Sequence, residues 1–291
     1  MQMQALERAL LDSWLVVRNA GVPKYVPHLL KQEIRRFFLN RMICVEIEDG
    51  IRLRSHRTDF YLLRRDEQRV IEDFKNSIRP GAWVLDVGAN VGSYTLLAAK
   101  RVGSTGRVIA VEPDADNRKL LEGNIRDNHY SELVEVIPFA ASNRRQCKQF
   151  FRTSRCTENS LYPGSEVESI ASVQCVPLDD LLEEQKVDII KLDVEGHEIE
   201  ALEGMEKTIA RSEPLVMFVE CNPSALARAG HTSTELLARL SAYQCMVAWA
   251  EVSFSHGSAV MSGQDFSELV TGTQPWHNSM LKCTRVRPAN V

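Results

Sequence analysis

The segment with the clearest chemical content is a glycine-rich turn, VLDVGANVGSYT, at residues 84–95. A short apolar run leads into a carboxylate there, and an Ala/Leu-rich stretch begins directly after the turn. This order is typical of a strand-to-helix turn whose backbone approaches a ligand at the carboxyl end of the strand. The turn therefore predicts a small-molecule binding site formed by Asp86, Gly88, Asn90 and Gly92.

The spacing of this turn favours a cationic ligand over a dinucleotide. A pyrophosphate site uses G-x-G-x-x-G, whereas the pattern here is D-x-G-x-x-x-G. The carboxylate of Asp86 would repel a diphosphate and attract an ammonium or a sulfonium. A second acid, Glu112, ends the next apolar run, 20 residues after Gly92. A carboxylate there can accept hydrogen bonds from both hydroxyls of an adenosine ribose.

A third constellation, KLDVEGHE, lies at residues 191–198. Ligands of open α/β sheets bind outside the carboxyl ends of the strands, so Asp193 and Glu195 are expected at the rim of the same crevice. Strand alternation would direct both carboxylates to one side, where they could orient an acceptor hydroxyl. His197 is a candidate base because the ordinary pKa of a histidine side chain lies close to neutral pH. A solvent-exposed position at a helix start is the alternative interpretation of His197.

A magnesium site is a second interpretation of the acidic residues. Asp193, Glu195 and Glu220, the last in VECN, could bind Mg²⁺ through oxygen atoms and lower the pKa of the acceptor. The sequence shows no motif with the ligand spacing of a known metal site, so we assign no metal ligand from the sequence.

After residue 82, short apolar runs alternate with segments of helical periodicity. These predicted strands and helices must position the residues named above. Runs rich in Val, Ile and Leu without strict alternation are typical of parallel strands buried on both faces. The pattern predicts an α/β domain over residues 83–291, with strands at 83–87, 107–112, 133–139, 187–193, 215–221, 245–251 and 279–285.

Two stretches depart from this alternation. Residues 1–82 are expected to be an extension packed on the core, with an amphipathic amino-terminal helix, a β-hairpin at 43–53 around Asp49-Gly50, and a helix at 67–77. Residues 143–176 are expected to be a β insertion, with strands at 147–152 and 172–176. Loops beside a rigid sheet commonly determine substrate specificity.

Composition excludes several classes of protein. Lys and Arg number 35 against 39 Asp and Glu, so there is no general attraction to nucleic acid, and the arginine pairs are isolated. No segment approaches the roughly 20 apolar residues of a membrane span. The seven cysteines are odd in number and lack metal-ligand spacing. Unpaired thiols in a reducing, cytoplasmic environment are therefore expected.

Four motifs together resemble the FkbM family of S-adenosylmethionine-dependent methyltransferases. They are DVGANVGSYTLLAAK, VIAVEPDADNRKLLEGNIRDN, PLDDLLEE and VDIIKLDVEGHEIEALEGM, and the resemblance covers roughly residues 80–285. It implies a Rossmann-like class I methyltransferase fold, with a seven-stranded, mostly parallel sheet, helices on both faces and an antiparallel last strand. It also implies S-adenosylmethionine as the cofactor.

The resemblance further implies roles for individual residues. Asp86, Gly88, Asn90 and Gly92 would hold the methionine moiety, with Asp193 beside it. Glu112 and Pro113 would contact the ribose, and Ala141 and Ser142 the adenine. The segment PFAASN at 138–143 lacks the acidic residue that family members often carry there. Asn117 and Asn124 are expected as exposed polar residues of the helix after Pro113.

The predicted reaction is in-line transfer of a methyl group to a hydroxyl of a small molecule, sugar or glycan. A non-catalytic cofactor-binding scaffold and an N-methyltransferase acting on a small molecule or protein are the alternatives. The absence of an N/D-P-P-Y/F tetrapeptide at 193–196 favours oxygen over nitrogen. A nicotinamide-dependent oxidoreductase is disfavoured by the glycine spacing. The sequence specifies neither the acceptor nor the oligomeric state, and a homo-oligomer is compatible with it.

Overall fold

The structure, a computed structural model, describes residues 42–56, 65–153, 158–164, 167–249 and 279–285. The predicted amino-terminal helix lies outside these residues. The strands are β1 (Met42–Glu48), β2 (Ile51–His56), β3 (Trp83–Val87), β4 (Arg107–Val111), β5 (Val134–Ile137), β6 (Ala140–Ala141), β7 (Gln146–Thr153), β8 (Val167–Val176), β9 (Ile189–Leu192), β10 (Leu215–Cys221), β11 (Met246–Trp249) and β12 (Ser279–Arg285). The helices are α1 (Arg65–Ser77), α2 (Ser93–Val102), α3 (Ala115–Asp127), α4 (Asp179–Leu182), α5 (Glu198–Glu203), α6 (Glu206–Arg211), α7 (Pro223–Ala229) and α8 (Ser233–Ala242).

Seven of the strands form one sheet in the order β11-β12-β10-β9-β3-β4-β5. Neighbouring strands are parallel except for β12, which runs antiparallel to both β10 and β11. The chain proceeds from β3 to β4 and β5 on one side, and places β9 and β10 on the other. The strand order therefore reverses between β3 and β9, which is where an open α/β sheet binds its ligand. The predicted class I methyltransferase fold is confirmed.

The apolar runs are continuous because both faces of this sheet are covered. Leu85, Ile190 and Met217 lie in the core on one face. Val84 and Phe218 lie in the core on the other. A strand buried on both sides has no solvent-facing positions to alternate with, so its sequence shows no period of two.

Several strands are shorter than the predicted runs. The run 187–193 forms a strand only over Ile189–Leu192, and the run 133–139 only over Val134–Ile137. The residues after each strand enter turns that carry the polar side chains of the site. The last two residues of the run 245–251 lie outside the described residues.

The hairpin and α1 pack on the main sheet. The predicted turn at Asp49-Gly50 joins β1 to β2. Leu53 of the hairpin and Phe74 of α1 lie in the same core as Phe218 of the sheet. The rings of Phe74 and Phe218 meet edge to face, with centroids 5.4 Å apart. The described part of the predicted extension therefore shares a core with the sheet.

Asn117 and Asn124 of α3 are buried, so the expectation of two exposed helix residues was wrong. The hairpin lies against α3 and covers Asn124, whose exposure is 0%. The Asn124 amide accepts a hydrogen bond from the Arg54 backbone N–H (2.8 Å) and donates to the Arg54 and Val91 carbonyls (2.9 and 2.8 Å). Asn124 thus joins the hairpin to the glycine-rich turn.

The predicted insertion forms a separate three-stranded sheet in the order β6-β8-β7. Its antiparallel pair, β7 and β8, contains both predicted strands and extends them. The short strand β6 connects this sheet to the end of β5, because Ala140 and Ala141 pair with Cys175 and Val176. The insertion therefore begins beside the carboxyl edge of the main sheet.

Ile199, Leu202, Met205 and Ile209 form an apolar stripe along two short helices, α5 and α6, that are separated near Gly204. A Cβ atom at Gly204 would lie 1.9 Å from the carbonyl oxygen of Ser142. The segment carrying Ser142 passes so close to the helix backbone that only glycine fits there. Both halves of the stripe remain buried.

All six cysteines in the described part of the chain are free. Cys44 and Cys147 are exposed, and the rest are buried or half-buried. Among the described residues, no helix has the length and apolar character needed to cross a membrane.

We expect Asn124→Ala to lower the free energy of unfolding by about 2 to 4 kcal/mol. The substitution leaves the N–H and carbonyl of Arg54 and the carbonyl of Val91 without this partner. Urea denaturation followed by circular dichroism measures the loss. Asn128→Ala is the matched control, because Asn128 bonds the Arg52 backbone in the same way but at the surface. Equal losses in the two variants would contradict the role assigned to burial of Asn124.

Candidate active site

The loops after β3 and β9 touch at the point where the strand order reverses. Gly88 has a φ of +83°, and a Cβ atom there would lie 1.8 Å from the carbonyl oxygen of Asp193. The Asp193 N–H donates to the Val87 carbonyl at 3.0 Å, which continues the pairing of β3 and β9 by one residue. Only glycine allows this approach, and the contact brings the two predicted motifs together.

Asp86, at the end of β3, is fully buried. Its Oδ2 accepts a hydrogen bond from the Thr95 hydroxyl at 2.6 Å, and its Oδ1 has no hydrogen-bond partner among the described residues. Burial raises the pKa of Asp86, and the Lys191 ammonium and the Thr95 hydrogen bond oppose that shift. The side chain therefore places a desolvated acceptor oxygen beneath the turn.

Lys191 is a functional-site residue that the sequence reasoning missed. Its ammonium lies 3.0 Å from Asp193 Oδ2 and 4.0 Å from Asp86 Oδ1, and it donates to the Gly88 carbonyl at 3.4 Å. It also lies 5.1 Å from the ring centroid of Tyr94. The available signal was a lysine inside the apolar run DIIKLD, since a buried lysine needs an anionic partner.

Glu112 connects the end of β4 to the glycine-rich turn. Its two carboxylate oxygens accept the backbone N–H groups of Asn90 and Asp114, each at 2.8 Å. Burial raises the pKa of Glu112 to about 7, although both N–H groups favour the ionised form. Each oxygen keeps a second lone pair for a ligand hydroxyl. Pro113, the next residue, is half-buried.

Asp193, Glu195 and Glu220 converge at the neighbouring strand ends. One carboxylate oxygen from each lies within 4.8 Å of the others. Strand alternation is the wrong explanation for this convergence, because β9 ends at Leu192 and Glu195 has a left-handed backbone with φ +53°. A loop, and not a strand, directs the two side chains.

A second missed residue, Glu198, holds that loop in shape. One oxygen of its buried carboxylate accepts the N–H groups of Val194 and Gly196, both at 3.1 Å. Burial raises the pKa of Glu198 to about 7. The insertion adds a further anchor, because the Ser160 hydroxyl donates to the Glu195 carbonyl at 2.7 Å. The backbone around Glu195 is therefore fixed from both sides.

The three converging carboxylates differ in their surroundings. The Asp193 side chain is 30% exposed and faces the Lys191 ammonium. Glu195 is buried, with the Arg228 guanidinium 3.9 Å away. Glu220 is buried as well, and burial together with the neighbouring carboxylates raises the pKa of both glutamates well above the usual value. Asp193 is the carboxylate of the three that solvent reaches most easily.

His197 has an exposure of only 1%, so its interpretation as an exposed helix-start residue was wrong. Its Nδ1 lies 2.9 Å from the Tyr162 hydroxyl and its Nε2 lies 3.1 Å from the Ser142 hydroxyl. Burial lowers the pKa of His197 to about 4. The imidazole is therefore neutral near pH 7 and engaged at both nitrogens.

The structure places Ala141 and Ser142 in the interior. Ser142 follows β6, its backbone N–H donates to the Val176 carbonyl at 2.9 Å, and its hydroxyl lies 3.1 Å from Nε2 of His197. The predicted adenine contact of these two residues stays a prediction. By contrast, Asp86, Gly88, Asn90, Glu112 and Asp193 come together at the carboxyl edge of the sheet.

The chain is similar in sequence to known methyltransferases. Residues 86–245, more than half of the chain, match the model of the methyltransferase FkbM domain. The chain is 30% identical over 101 residues to ribosomal RNA large subunit methyltransferase E of Legionella pneumophila, covering 30% of this chain and 49% of that protein. It is 26% identical over 148 residues to the hexuronic acid methyltransferase AglP of Haloferax volcanii, covering 50% of this chain and 59% of that protein.

Among solved structures, methyltransferase FkbM of Methylobacillus flagellatus aligns with a TM-score of 0.43 at 17% identity, covering 73% of this chain and 50% of that one. The chain spans about half the length of these two curated relatives. The resemblance in the motifs is confirmed by the match over residues 86–245. This chain belongs to the FkbM family of S-adenosylmethionine-dependent methyltransferases.

Proposed function

We propose that this chain transfers the methyl group of S-adenosylmethionine to a hydroxyl oxygen of a small molecule, sugar or glycan. The observation that carries the proposal is the convergence of Asp193, Glu195 and Glu220 beside the Gly88 turn. Carboxylates in that place can accept the proton of an acceptor hydroxyl. The proposal covers the acceptor class and the roles of the residues, within the family established above.

The residues at the edge of the sheet fit a cationic adenosyl group. Asp86 offers a buried oxygen without a hydrogen-bond partner among the described residues, and Glu112 offers acceptor capacity for ribose hydroxyls. Both are carboxylates, which suits a ligand bearing a sulfonium and an ammonium. We assign Asp86, Gly88, Asn90 and Gly92 to the methionine end, and Glu112 and Pro113 to the ribose.

S-adenosylmethionine supplies an electrophilic methyl group on a sulfonium sulfur. The protein must hold the acceptor oxygen about 3 Å from that methyl group and in line with the breaking bond. It must also remove the hydroxyl proton as the new carbon–oxygen bond forms. We assign orientation of the hydroxyl to Asp193 and Glu195, with Asp193 receiving the proton because it is the most exposed of the cluster.

We assign His197 a positioning role in place of the base role first considered. An imidazole with a pKa near 4 is too weak a base to remove an alcohol proton effectively. Both of its ring nitrogens also already have partners. Through Tyr162, whose hydroxyl also donates to Glu200 at 3.1 Å, His197 links the insertion to α5. Its role is to hold the KLDVEGHE loop against the insertion.

The charge at the site favours a hydroxylated acceptor without phosphates. Asp193, Glu195 and Glu220 would repel a nucleic-acid backbone, and the whole chain carries a net charge of −4. The name of the Haloferax relative, a hexuronic acid methyltransferase, supports a sugar acceptor. Ribosomal RNA, named for the Legionella relative, is the contrasting acceptor to include in an assay.

We also propose that the protein works in a reducing compartment such as the cytoplasm. Cys44 and Cys147 are free and exposed, and such thiols oxidise in the oxidising compartments where disulfides form.

Cofactor affinity provides the first test. We expect Glu112→Gln and Asp86→Asn each to weaken S-adenosylmethionine binding by about tenfold or more, because each removes the charge of a carboxylate that we assign to direct contact with the cofactor. Titration calorimetry measures the dissociation constants. Glu122→Gln, an exposed glutamate of α3, is the matched control and should bind normally. Unchanged affinity in both site variants would overturn the assignment of the cofactor residues.

Turnover separates an enzyme from a scaffold. We expect Asp193→Asn to lower kcat by about 100-fold or more while leaving the S-adenosylmethionine dissociation constant nearly unchanged, because it removes the proton acceptor and keeps the shape. Methyl-labelled cofactor with a panel of glycosides, amines and ribosomal RNA reports the product by mass. Labelled amine or RNA would refute the hydroxyl assignment, and cofactor binding without any labelled product would favour the scaffold.

His197→Gln tests the positioning role. We expect kcat to fall by about tenfold at most, whereas removal of a general base costs roughly 100-fold or more. The low pKa of His197 also destabilises the fold in acid, because the unfolded chain takes up a proton near pH 6.5 that the folded chain rejects until about pH 4. The variant should lose less stability over that interval than the wild type. A loss of kcat of about 100-fold or more would restore His197 as the base.

A further inference from the structure

The acidic cluster at the ends of β9 and β10 contains more negative charge than its neighbours neutralise. These strands are adjacent and parallel, so Asp193 and Glu195 emerge beside Glu220. Within the described part of the chain, the cations in ion-pair range of the cluster are Lys191, at Asp193, and Arg228, at Glu195. Lys191 also lies 4.0 Å from the carboxylate of Asp86, so its one positive charge is shared between Asp86 and the cluster.

Glu220 provides the observation that indicates a cation-binding site. Its exposure is 6%, and its Oε2 has no hydrogen-bond partner among the described residues. A carboxylate oxygen of Glu220 lies within 4.8 Å of oxygens from Asp193 and Glu195. A buried carboxylate that faces two other carboxylates without a counter-ion is unfavourable, so a cation at their centre would relieve both desolvation and repulsion.

The chemistry of the donors selects the class of cation. All three are carboxylate oxygens, which suit hard ions such as Mg²⁺, Mn²⁺ and Ca²⁺. Ligand oxygens of an octahedral Mg²⁺ lie about 3.0 Å apart when adjacent and about 4.2 Å apart when opposite, so three oxygens within 4.8 Å of one another need only a small movement to share the ion. Rotation of glutamate side chains can provide that movement. Three protein ligands leave further coordination positions for water and for an acceptor oxygen.

We propose that Asp193, Glu195 and Glu220 bind a divalent cation of the Mg²⁺ class, which holds the acceptor hydroxyl and lowers its pKa. This inference rests on the proposed function and adds a metal requirement to it. The cation adds direct positive charge at the reacting oxygen to the partial neutralisation by Lys191 and Arg228. Asn222, at the same strand end, is not included among the ligands because its Oδ1 caps α7 by accepting the Ala225 N–H.

Binding is measured on the full chain after treatment with EDTA, with Mn²⁺ as the probe and electron paramagnetic resonance as the readout. We expect one Mn²⁺ per chain, displaced by Mg²⁺, and affinity weakened by about tenfold or more in Glu220→Gln and in Glu195→Gln. Glu122→Gln serves as the control and should bind like the wild type. The absence of saturable Mn²⁺ binding, or unchanged binding in both site variants, would overturn the proposal. If Glu220→Gln does not fold, Glu195→Gln and the wild-type titration decide.

Activity assays separate this inference from the proposed function. Methyl transfer to a glycoside that proceeds at full rate in EDTA would overturn the metal requirement and leave the proposed function intact. Transfer that stops in EDTA and returns with Mg²⁺ supports both. Mn²⁺ binding at the cluster, together with S-adenosylmethionine binding but no methylated acceptor, supports the cation site and counts against the proposed function.

Discussion

The structure depends on the backbone contact between the turn after β3 and the loop after β9. Gly88 meets the Asp193 carbonyl there, and the ammonium of Lys191 lies between Asp86 and Asp193. Parallel strands end at a common edge, so their terminal carboxylates accumulate in one place. Without the buried lysine, Asp86 and Asp193 would lie near each other with no positive charge between them. The positive charge of Lys191 therefore offsets the repulsion between the carboxylates that meet at this edge of the sheet.

The surrounding elements serve this edge by fixing its loops. Asn124 connects the hairpin to the Val91 carbonyl, and Glu112 accepts the Asn90 N–H, so the glycine-rich turn is held from two directions. Glu198 and the hydroxyl of Ser160 hold the loop that carries Glu195. A site that must align an acceptor within tenths of an ångström needs such support from elements that do not touch the substrate.

The sequence predicted the sheet well because its strands are buried on both faces and their composition is unambiguous. It also predicted the hairpin turn at Asp49-Gly50 and the glycine-rich turn, because the residues of a turn determine its backbone conformation locally. It failed where a side chain depends on a partner distant in sequence. The sequence predicts an exposed Asn124 because the hairpin that covers it lies about 70 residues earlier in the chain. It predicts an accessible His197 because the partners Ser142 and Tyr162 lie 55 and 35 residues away in the chain.

The sequence by itself determined the α/β class of the fold, the succession of strands and helices along the chain, and the residue types at each strand end. These follow from local periodicity and from motifs whose spacing sets a backbone turn. The tertiary structure decided which carboxylates face one another, which are buried, and which of them has a cation beside it. Glu220 lies 25 residues from Glu195 in sequence, yet their oxygens lie within 4.8 Å because β9 and β10 are neighbours. Desolvation and Coulomb interactions depend on distance in space, so only the folded chain assigns them.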